Sequence, residues 1–150
     1  MKFTKTFITS LLLASSSIAH GASLQIISAS DWGGSHSSYP ATKAIDGNTN
    51  WSSRWAASGS PVNLQLDLNG IQQVSALGIA WGKGKEQQHE FEVWVRQATS
   101  GSWTKVYDGM SSGSSASIEY VDVNDIDARQ VRIKTFSNTA DSSWTNIKEV

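Results

Sequence analysis

Short runs in which apolar and polar residues alternate are the feature that most restricts the fold of this chain. Every second residue is apolar in residues 62–68 (VNLQLDL) and 91–95 (FEVWV). This period of two places apolar side chains on one face of a β-strand. Clusters of Gly, Ser, Asn and Asp separate such runs, and helical periodicity is hard to find. The pattern predicts an all-β sandwich whose core includes Val62, Leu64, Leu66, Leu68, Phe91, Val93 and Val95.

Eight candidate strands follow from these runs, which is enough for two packed antiparallel sheets. Residues 30–61 contain no comparable run, and a loop of this length needs an anchor. Residues 111–117 (SSGSSAS) are predicted to form a hairpin loop. The candidate strands are residues 24–29, 62–68, 74–81, 90–97, 103–107, 117–123 and 129–136, and a last one starting near Ile147.

The amino terminus has the pattern of a secretory leader. Lys2 and Lys5 precede a short apolar run that ends at small residues, which predicts a signal peptide over residues 1–22. No segment reaches the roughly 20 apolar residues that a membrane span requires. We expect one soluble, monomeric, secreted or periplasmic domain over residues 23–150. The sequence stops within a strand-like run, so we expect this domain to be truncated in its last strand.

Composition excludes several classes of function. The chain has no cysteine, which rules out a disulfide framework and thiol catalysis. Only His36 and His89 follow the leader, too few for a histidine zinc site. Loss of Lys2 and Lys5 moves the formal net charge from −1 to −3, and no basic stripe suggests nucleic acid. No nucleophile turn, metal-binding helix or phosphate loop is present, so we expect no catalysis.

An ordered set of motifs resembles the discoidin domain, also called the coagulation-factor type C domain. The set is ATKAIDGNTNWSSRW at residues 41–55, the run at 62–68, IAWGKGKEQQHEFEVWV at 79–95, SWTKVYDG at 102–109 and ARQVRIKTFSNTADSSWTNIKEV at 128–150. The resemblance implies a jelly-roll β-sandwich of the galactose-binding type. It is similar to family 32 carbohydrate-binding modules, particularly those attached to alginate lyases. Two departures are Val62 or Asn63 in place of an aromatic residue and a longer loop before Arg54.

The same resemblance implies a structural calcium ion. Its ligands here would be Asp46, the carbonyls of Lys43 and Asn48, the hydroxyl of Ser53, and Glu149. Hard cations prefer such oxygen donors, and an ion could fix the long loop. The alternative is that Asp46-Gly47 forms an ordinary tight turn and Glu149 is solvated.

Loop tryptophans are the main candidates for a sugar site, because a flat ring can cover the apolar face of a sugar. Seven tryptophans are present, and Trp32, Trp51 and Trp144 lie in predicted loops. Lys83 and Lys85 follow Trp81 in a glycine-rich turn and would favour an acidic glycan, unless they are simply solvated. Two roles are open for Arg54, ligand binding and the bracing of loops, whereas Trp55 and Trp103 are predicted to pack. The predicted ligand-binding residues are Asp31, Trp32, Tyr39, Arg54, Trp81, Lys83, Lys85, His89, Asn138 and Trp144.

These features predict non-catalytic carbohydrate binding, in which the module targets a secreted polysaccharide-degrading enzyme, such as an alginate lyase, to its polymer. The alternative is an adhesion module that binds a protein or a phospholipid headgroup. Trp32 could act as a membrane-inserting spike. Its neighbours are Gly, Ser and His, which favours the sugar.

Overall fold

A computed structural model describes residues 23–150, so the predicted signal peptide lies outside the described residues. This part of the chain forms an all-β domain with a single short 3-10 helix at Ala41–Ile45. No helix within it is long and apolar enough to cross a membrane. The strands are β1 (Ile26–Trp32), β2 (Trp55–Ser58), β3 (Val62–Trp81), β4 (His89–Arg96), β5 (Thr104–Met110), β6 (Glu119–Asn138) and β7 (Trp144–Glu149).

All strand pairs are antiparallel, and they form two layers joined by hydrogen bonds. The larger layer contains β1, β4, β5 and the first half of β3 paired with the second half of β6. The second half of β3 continues the same ladder with the first half of β6, from Gln72 opposite Ala128 to Ile79 opposite Glu119. The smaller layer contains β2, β7 and the end of β3, whose Ala80 and Trp81 pair with β7. This arrangement confirms the predicted discoidin-like sandwich.

β3 and β6 each run through 20 residues, where the sequence predicts two separate strands. Their pairing is interrupted between Asp67 and Gln72 and again between Val74 and Ala76. Gly70 has φ +88°, and Asn124 and Asp125 on β6 have φ +61° and +46°. Local turn residues therefore bend and bulge these strands without ending them, which is why two short runs appear as one strand.

Two further predictions about strands are wrong. β2 lies inside the predicted long loop, and its residues Trp55, Ala56 and Ala57 are all buried, so no alternation marked it. The segment at 111–117 is not a hairpin loop, because β5 pairs with β4 and not with β6.

The core lies between the two layers and contains every residue predicted for it. Leu64 and Leu66 from the first half of β3 are fully buried, as are Ile79 from its second half and Ile147 from β7. Trp55 is also fully buried, as predicted, and Trp103 is partly buried against Arg96 and Arg132. Burial of large aliphatic and aromatic side chains at about 1.5–3 kcal/mol each gives the domain a stable scaffold for its loops.

Candidate functional site

The loops at one end of the sandwich enclose a cleft of about 460 Å³. Three chain segments form it: the long segment between β1 and β2, the turn after β3, and the connection from β6 into β7. Loops on a rigid β scaffold are common positions for binding residues. The lining residues are His36, Tyr39, Trp51, Arg54, Ala56, Lys83, Gln87, Ala140, Ser142, Trp144 and Asn146.

Arg54 forms the centre of this cleft. Its guanidinium carbon lies 3.7 Å from the centroid of the Tyr39 ring and 4.0 Å from that of Trp51. Nε donates a hydrogen bond to Asn146 Oδ1 at 2.9 Å, and Nη1 donates to the Trp51 carbonyl at 2.8 Å. Within residues 23–150 no hydrogen bond uses Nη2. Arg54 therefore braces the loops and also retains donor capacity for a ligand.

An aromatic wall faces the arginine. The imidazole of His36 lies 5.0 Å from the Tyr39 ring and 5.6 Å from the Trp144 ring, measured between centroids. His36 Nδ1 accepts a hydrogen bond from the Ser38 amide at 3.1 Å, so the neutral imidazole carries its proton on Nε2. Trp51 and Trp144 keep 46% and 41% of their surface exposed. These two indoles offer flat apolar surfaces to a ligand.

Asn138 organises the loop that carries Trp144. Its amide nitrogen donates to the carbonyls of Ser142 and Trp144 at 2.8 and 3.1 Å. Its oxygen accepts from the backbone amides of Ala140 and Ser142. Asn138 is buried, and all of these partners belong to its own loop. The structure therefore places Asn138 behind the cleft, as a support for Trp144 and not as a ligand contact.

The cleft is positively charged. Among its lining residues Arg54 and Lys83 are cations, and no carboxylate is present. Lys83 adopts φ +57° in the turn after β3. Beneath this turn, a Cβ on Gly82 would come within 2.5 Å of Asn146 Cβ and 3.0 Å of the Trp51 ring. Glycine is therefore required for the turn to approach the floor of the cleft.

Tyr39, Arg54, Lys83 and Trp144 are the predicted ligand-binding residues that the structure brings together. Trp81 and His89 are instead buried in the interior, where their rings stack. Trp81 Nε1 donates to Glu119 Oε1 at 3.1 Å, and the His89 imidazole contacts the Gly82 carbonyl at 3.3 Å. The prediction that Trp81 and His89 contact ligand is wrong, because neither ring is exposed. Both support the turn that carries Lys83 from below.

Three further predicted residues lie away from the cleft. Asp31 accepts a hydrogen bond from the indole of the buried Trp55 at 2.6 Å, which is a structural role. Trp32 contacts Arg132 of the larger layer, with the guanidinium carbon 4.6 Å from the ring centroid. Lys85 is exposed on the same turn as Lys83 but does not line the cleft. Lys83 and Lys85, which are two positions apart, therefore lie on different surfaces of the domain.

A second cluster joins the long loop to the last strand, and it contains the predicted calcium ligands. The Ser53 hydroxyl donates to Asp46 Oδ2, and Asp46 Oδ1 accepts from the Asn48 amide at 3.0 Å. Glu149 Oε2 accepts from the Gly47 amide at 3.0 Å. Lys43 Nζ lies 3.4 Å from Asp46 Oδ2. The structure therefore brings Asp46 and Ser53 of the long loop together with Glu149 of β7, which is about 100 residues further along the chain.

The donor set of this cluster fits a hard cation. Burial raises the pKa of Glu149 and the nearby charge of Asp46 raises it further, so the two carboxylates repel each other. Ser53 lowers the pKa of Asp46 by donating to it. Within residues 23–150 no three His, Cys, Asp or Glu side chains cluster, so a cation would also need the hydroxyl and carbonyls.

His36, Trp51, Gln87 and Asn146 line the cleft but are absent from the predicted site. Trp51 is recognisable from the sequence as a loop tryptophan, yet its exposure depends on how the loop folds. His36 and Asn146 are single polar residues without a distinguishing pattern. Only the pairing of β7 with β2 and the end of β3 places Asn146 beside Arg54.

Comparison with known proteins assigns the fold to a family. A family model described as the F5/8 type C domain matches residues 25–150. The chain belongs to the F5/8 type C family. An F5/8 type C domain of this kind is a binding module and is non-catalytic in itself. Comparison with curated protein sequences finds no significant match.

Several solved structures share this F5/8 type C fold. The CBM32 of AlyQ in complex with 4,5-unsaturated mannuronic acid is 28% identical, with a TM-score of 0.76 over 84% of this chain and 93% of that chain. Truncated AlyQ with CBM32 and alginate lyase domains is 29% identical with the same TM-score, over 84% of this chain and 31% of that chain. A pectin-binding carbohydrate-binding module is 22% identical, with a TM-score of 0.76 over 85% and 89% of the two chains.

Proposed function

We propose that this domain binds an acidic polysaccharide in the loop cleft, through stacking on Trp51 and Trp144 and through charge pairing with Arg54 and Lys83. The observation that carries the proposal is the combination of two exposed indoles with a lining that contains cations and no carboxylate. The indoles suit the C–H faces of sugar rings, and the cations suit the carboxylates of uronates.

Arg54 is the residue best placed to recognise a carboxylate. The rings of Tyr39 and Trp51 hold its guanidinium, and Asn146 fixes its orientation. A guanidinium immobilised before binding loses little side-chain entropy when the ligand arrives. The cleft is open at the surface, which suits weak binding to a polymer chain.

The proposal extends to an attached enzyme. AlyQ joins its CBM32 to an alginate lyase domain, and its CBM32 binds an unsaturated mannuronic acid. By analogy, this domain would hold a secreted or periplasmic polysaccharide lyase close to its polymer and raise the local substrate concentration. Alginate is the first polymer to test, because its uronates supply the carboxylates that the cleft lacks.

The Asp46 cluster is proposed to hold a structural calcium ion. Asp46, Ser53, Glu149 and the carbonyls of Lys43 and Asn48 would supply its oxygen ligands. When bound, the ion neutralises the two carboxylates. The residues themselves already tie the loop after the 3-10 helix to β7 through the bond from Gly47 to Glu149. The cluster contributes no group to the cleft lining, so its role in the proposal is stability.

The direct test is titration of the domain with alginate oligomers by isothermal calorimetry, with a neutral chito-oligosaccharide as the comparison ligand. Loss of one charge-assisted hydrogen bond costs about 1.5–3 kcal/mol, so Lys83→Ala is expected to weaken binding roughly 10- to 100-fold. Lys85→Ala is the matched control, because Lys85 lies on the same turn outside the cleft. Trp144→Ala should weaken binding by a similar factor.

Equal losses for Lys83→Ala and Lys85→Ala would exclude the cleft as the acidic-glycan site. Tighter binding of the neutral oligosaccharide than of the uronates would overturn the acidic ligand. Binding to phosphatidylserine vesicles, with none to any glycan, would favour the adhesion alternative. Binding that weakens steeply as salt increases would agree with recognition by Arg54 and Lys83.

A further inference from the structure

The outer face of the larger layer carries a second cluster of aromatic and cationic side chains. Arg132 on β6 lies directly opposite Trp94 on β4. Its guanidinium carbon is 4.6 Å from the centroid of the Trp32 ring and 3.9 Å from that of Trp103. The guanidinium carbon of Arg96 lies 4.4 Å from the same Trp103 ring. We call Trp32, Arg96, Trp103 and Arg132 the sheet-face cluster; none of them lines the cleft.

The two arginines of this cluster differ in their hydrogen bonds. Arg96 donates from Nε to Gln130 at 2.5 Å, from Nη1 to the Gly101 carbonyl at 3.2 Å and from Nη2 to the Thr99 carbonyl at 2.7 Å. Arg132 makes no side-chain hydrogen bond and no ion pair with any residue in 23–150, and its buried Nε has no partner. Arg96 therefore has a structural role that Arg132 lacks.

Arg132 also lacks a counter-ion among the residues that the structure describes. Burial lowers its pKa, and the neighbouring charge of Arg96 lowers it further. The nearby carboxylate of Glu92 contacts Lys105 at 3.1 Å and Lys134 at 3.8 Å. A partly buried cation beside a second cation is electrostatically unfavourable, and an anion bound there would remove this cost.

The rings beside Arg132 restrict which anion fits. Trp32 keeps 40% of its surface exposed, at the edge where β1 ends. An exposed indole next to a guanidinium matches a sugar ring that carries a carboxylate, since the ring can stack while the carboxylate accepts two hydrogen bonds. A small inorganic anion would use the arginine alone.

We infer that the sheet-face cluster is a second binding site for acidic polysaccharide, in which Arg132 donates to a uronate carboxylate and Trp32 stacks on a sugar ring of the same chain. The inference rests on the proposed function only in the class of ligand. The two sites share no residue, so each can fail alone. A polymer that reaches both sites would dissociate more slowly than one held by the cleft alone.

The indole N–H resonances of the tryptophans distinguish the two sites. Nuclear magnetic resonance of the ¹⁵N-labelled domain is followed during titration with alginate oligomers. Saturable shifts are expected for Trp32 and Trp103 in addition to Trp51 and Trp144. In Arg132→Gln the oligomer concentration that half-saturates the shifts of Trp32 and Trp103 should rise at least roughly tenfold, because a charge-assisted hydrogen bond is lost. The concentration that half-saturates the shifts of Trp51 and Trp144 should stay the same.

Two controls complete the experiment. Lys105→Gln removes a cation on the same face that already pairs with Glu92 and Asp108, and it should leave the Trp32 shifts unchanged. Sodium acetate at equal carboxylate concentration should give no saturable shift. An acetate response as strong as that of the oligomers would show an anion site without glycan recognition, and would overturn the inference.

The remaining outcomes separate the two proposals. Shifts at Trp51 and Trp144 alone would keep the cleft function and overturn the sheet-face site. Shifts at Trp32 and Trp103 alone would do the reverse. The assignment to Arg132 would also be overturned if Trp32 responded to the oligomers equally in Arg132→Gln and in the natural sequence. This comparison requires a folded variant, shown by an unaltered circular dichroism spectrum.

Discussion

The imidazole of His89 stacks on the indole of Trp81, with ring centroids 4.6 Å apart and planes 12° from parallel. Neither residue is exposed. The stack lies beneath the turn that presents Lys83, because Trp81 ends β3 and His89 begins β4. A titratable ring is thus built into the support of the cleft.

This burial gives a pH dependence to stability. Burial lowers the pKa of His89 below its ordinary value of 6.5, although the Gly82 carbonyl and Glu119 oppose the shift. The unfolded chain therefore binds a proton at a higher pH than the folded domain does. The stabilisation is complete above pH 6.5 and is lost progressively as the pH falls toward the pKa of the folded state.

Urea unfolding between about pH 8 and pH 5.5 measures this effect. The free energy of unfolding should decrease toward low pH in the natural sequence and less steeply in His89→Gln. If the free energy of unfolding of His89→Gln falls with pH as steeply as that of the natural sequence, His89 is not the group responsible.

Asp31 is expected to affect stability and not sugar binding. Asp31→Ala removes the acceptor for the buried indole N–H of Trp55 and should lower the free energy of unfolding by about 1–3 kcal/mol. Asp31→Asn keeps an acceptor oxygen and should lose less. Calorimetry should give unchanged affinity for alginate oligomers in both variants. A large loss of affinity in Asp31→Asn would restore Asp31 as a ligand contact.

Asn138 is expected to act on binding through Trp144. Asn138→Asp keeps the two accepted hydrogen bonds and loses the two donated to the carbonyls of Ser142 and Trp144, so the loop should become less ordered. Affinity should fall severalfold. In a double-mutant cycle with Trp144→Ala the two losses should not add, because both act through the same side chain. Additive losses would indicate a separate contact at Asn138.

Calcium should stabilise the domain through Asp46. At calcium about 100-fold above its dissociation constant, chelation should lower the melting temperature by roughly 10 °C. Asp46→Asn should melt at the same temperature with calcium and with chelator. Asp125→Asn, an exposed acid on the β6 bulge, should keep the natural response. A chelator effect that persists in Asp46→Asn would place the ion elsewhere.

Much of this fold can be predicted from the sequence, because the core strands alternate strictly. Leu64, Leu66, Val93 and Val95 identify their strands and the buried face without further information. Alternation fails at β2, where small residues are buried on both sides, and it cannot distinguish a bulge such as Asn124-Asp125 from a strand end. Whether a strand bends or stops depends on its partners, which are distant in sequence.

The site is less predictable, since loops fold according to long-range contacts. Asn138 and Asp31 have the residue types of ligand contacts, yet their side chains are used by their own loop and by Trp55. Lys83 and Lys85 are equivalent in sequence, and only the turn geometry directs Lys83 to the cleft. The family motif identifies the residues proposed to hold calcium, and their convergence depends on β7 returning to the 3-10 helix.

Because β3 and β6 pass through the whole height of the domain, β3 bonds to both layers along one continuous backbone. Neither layer can separate without breaking the pairing of β3 with β7. The domain should therefore unfold as a single cooperative unit, and a ligand at the loops or at the sheet face would oppose the same transition. An oligosaccharide held at one surface then protects amide hydrogens from exchange at the opposite one.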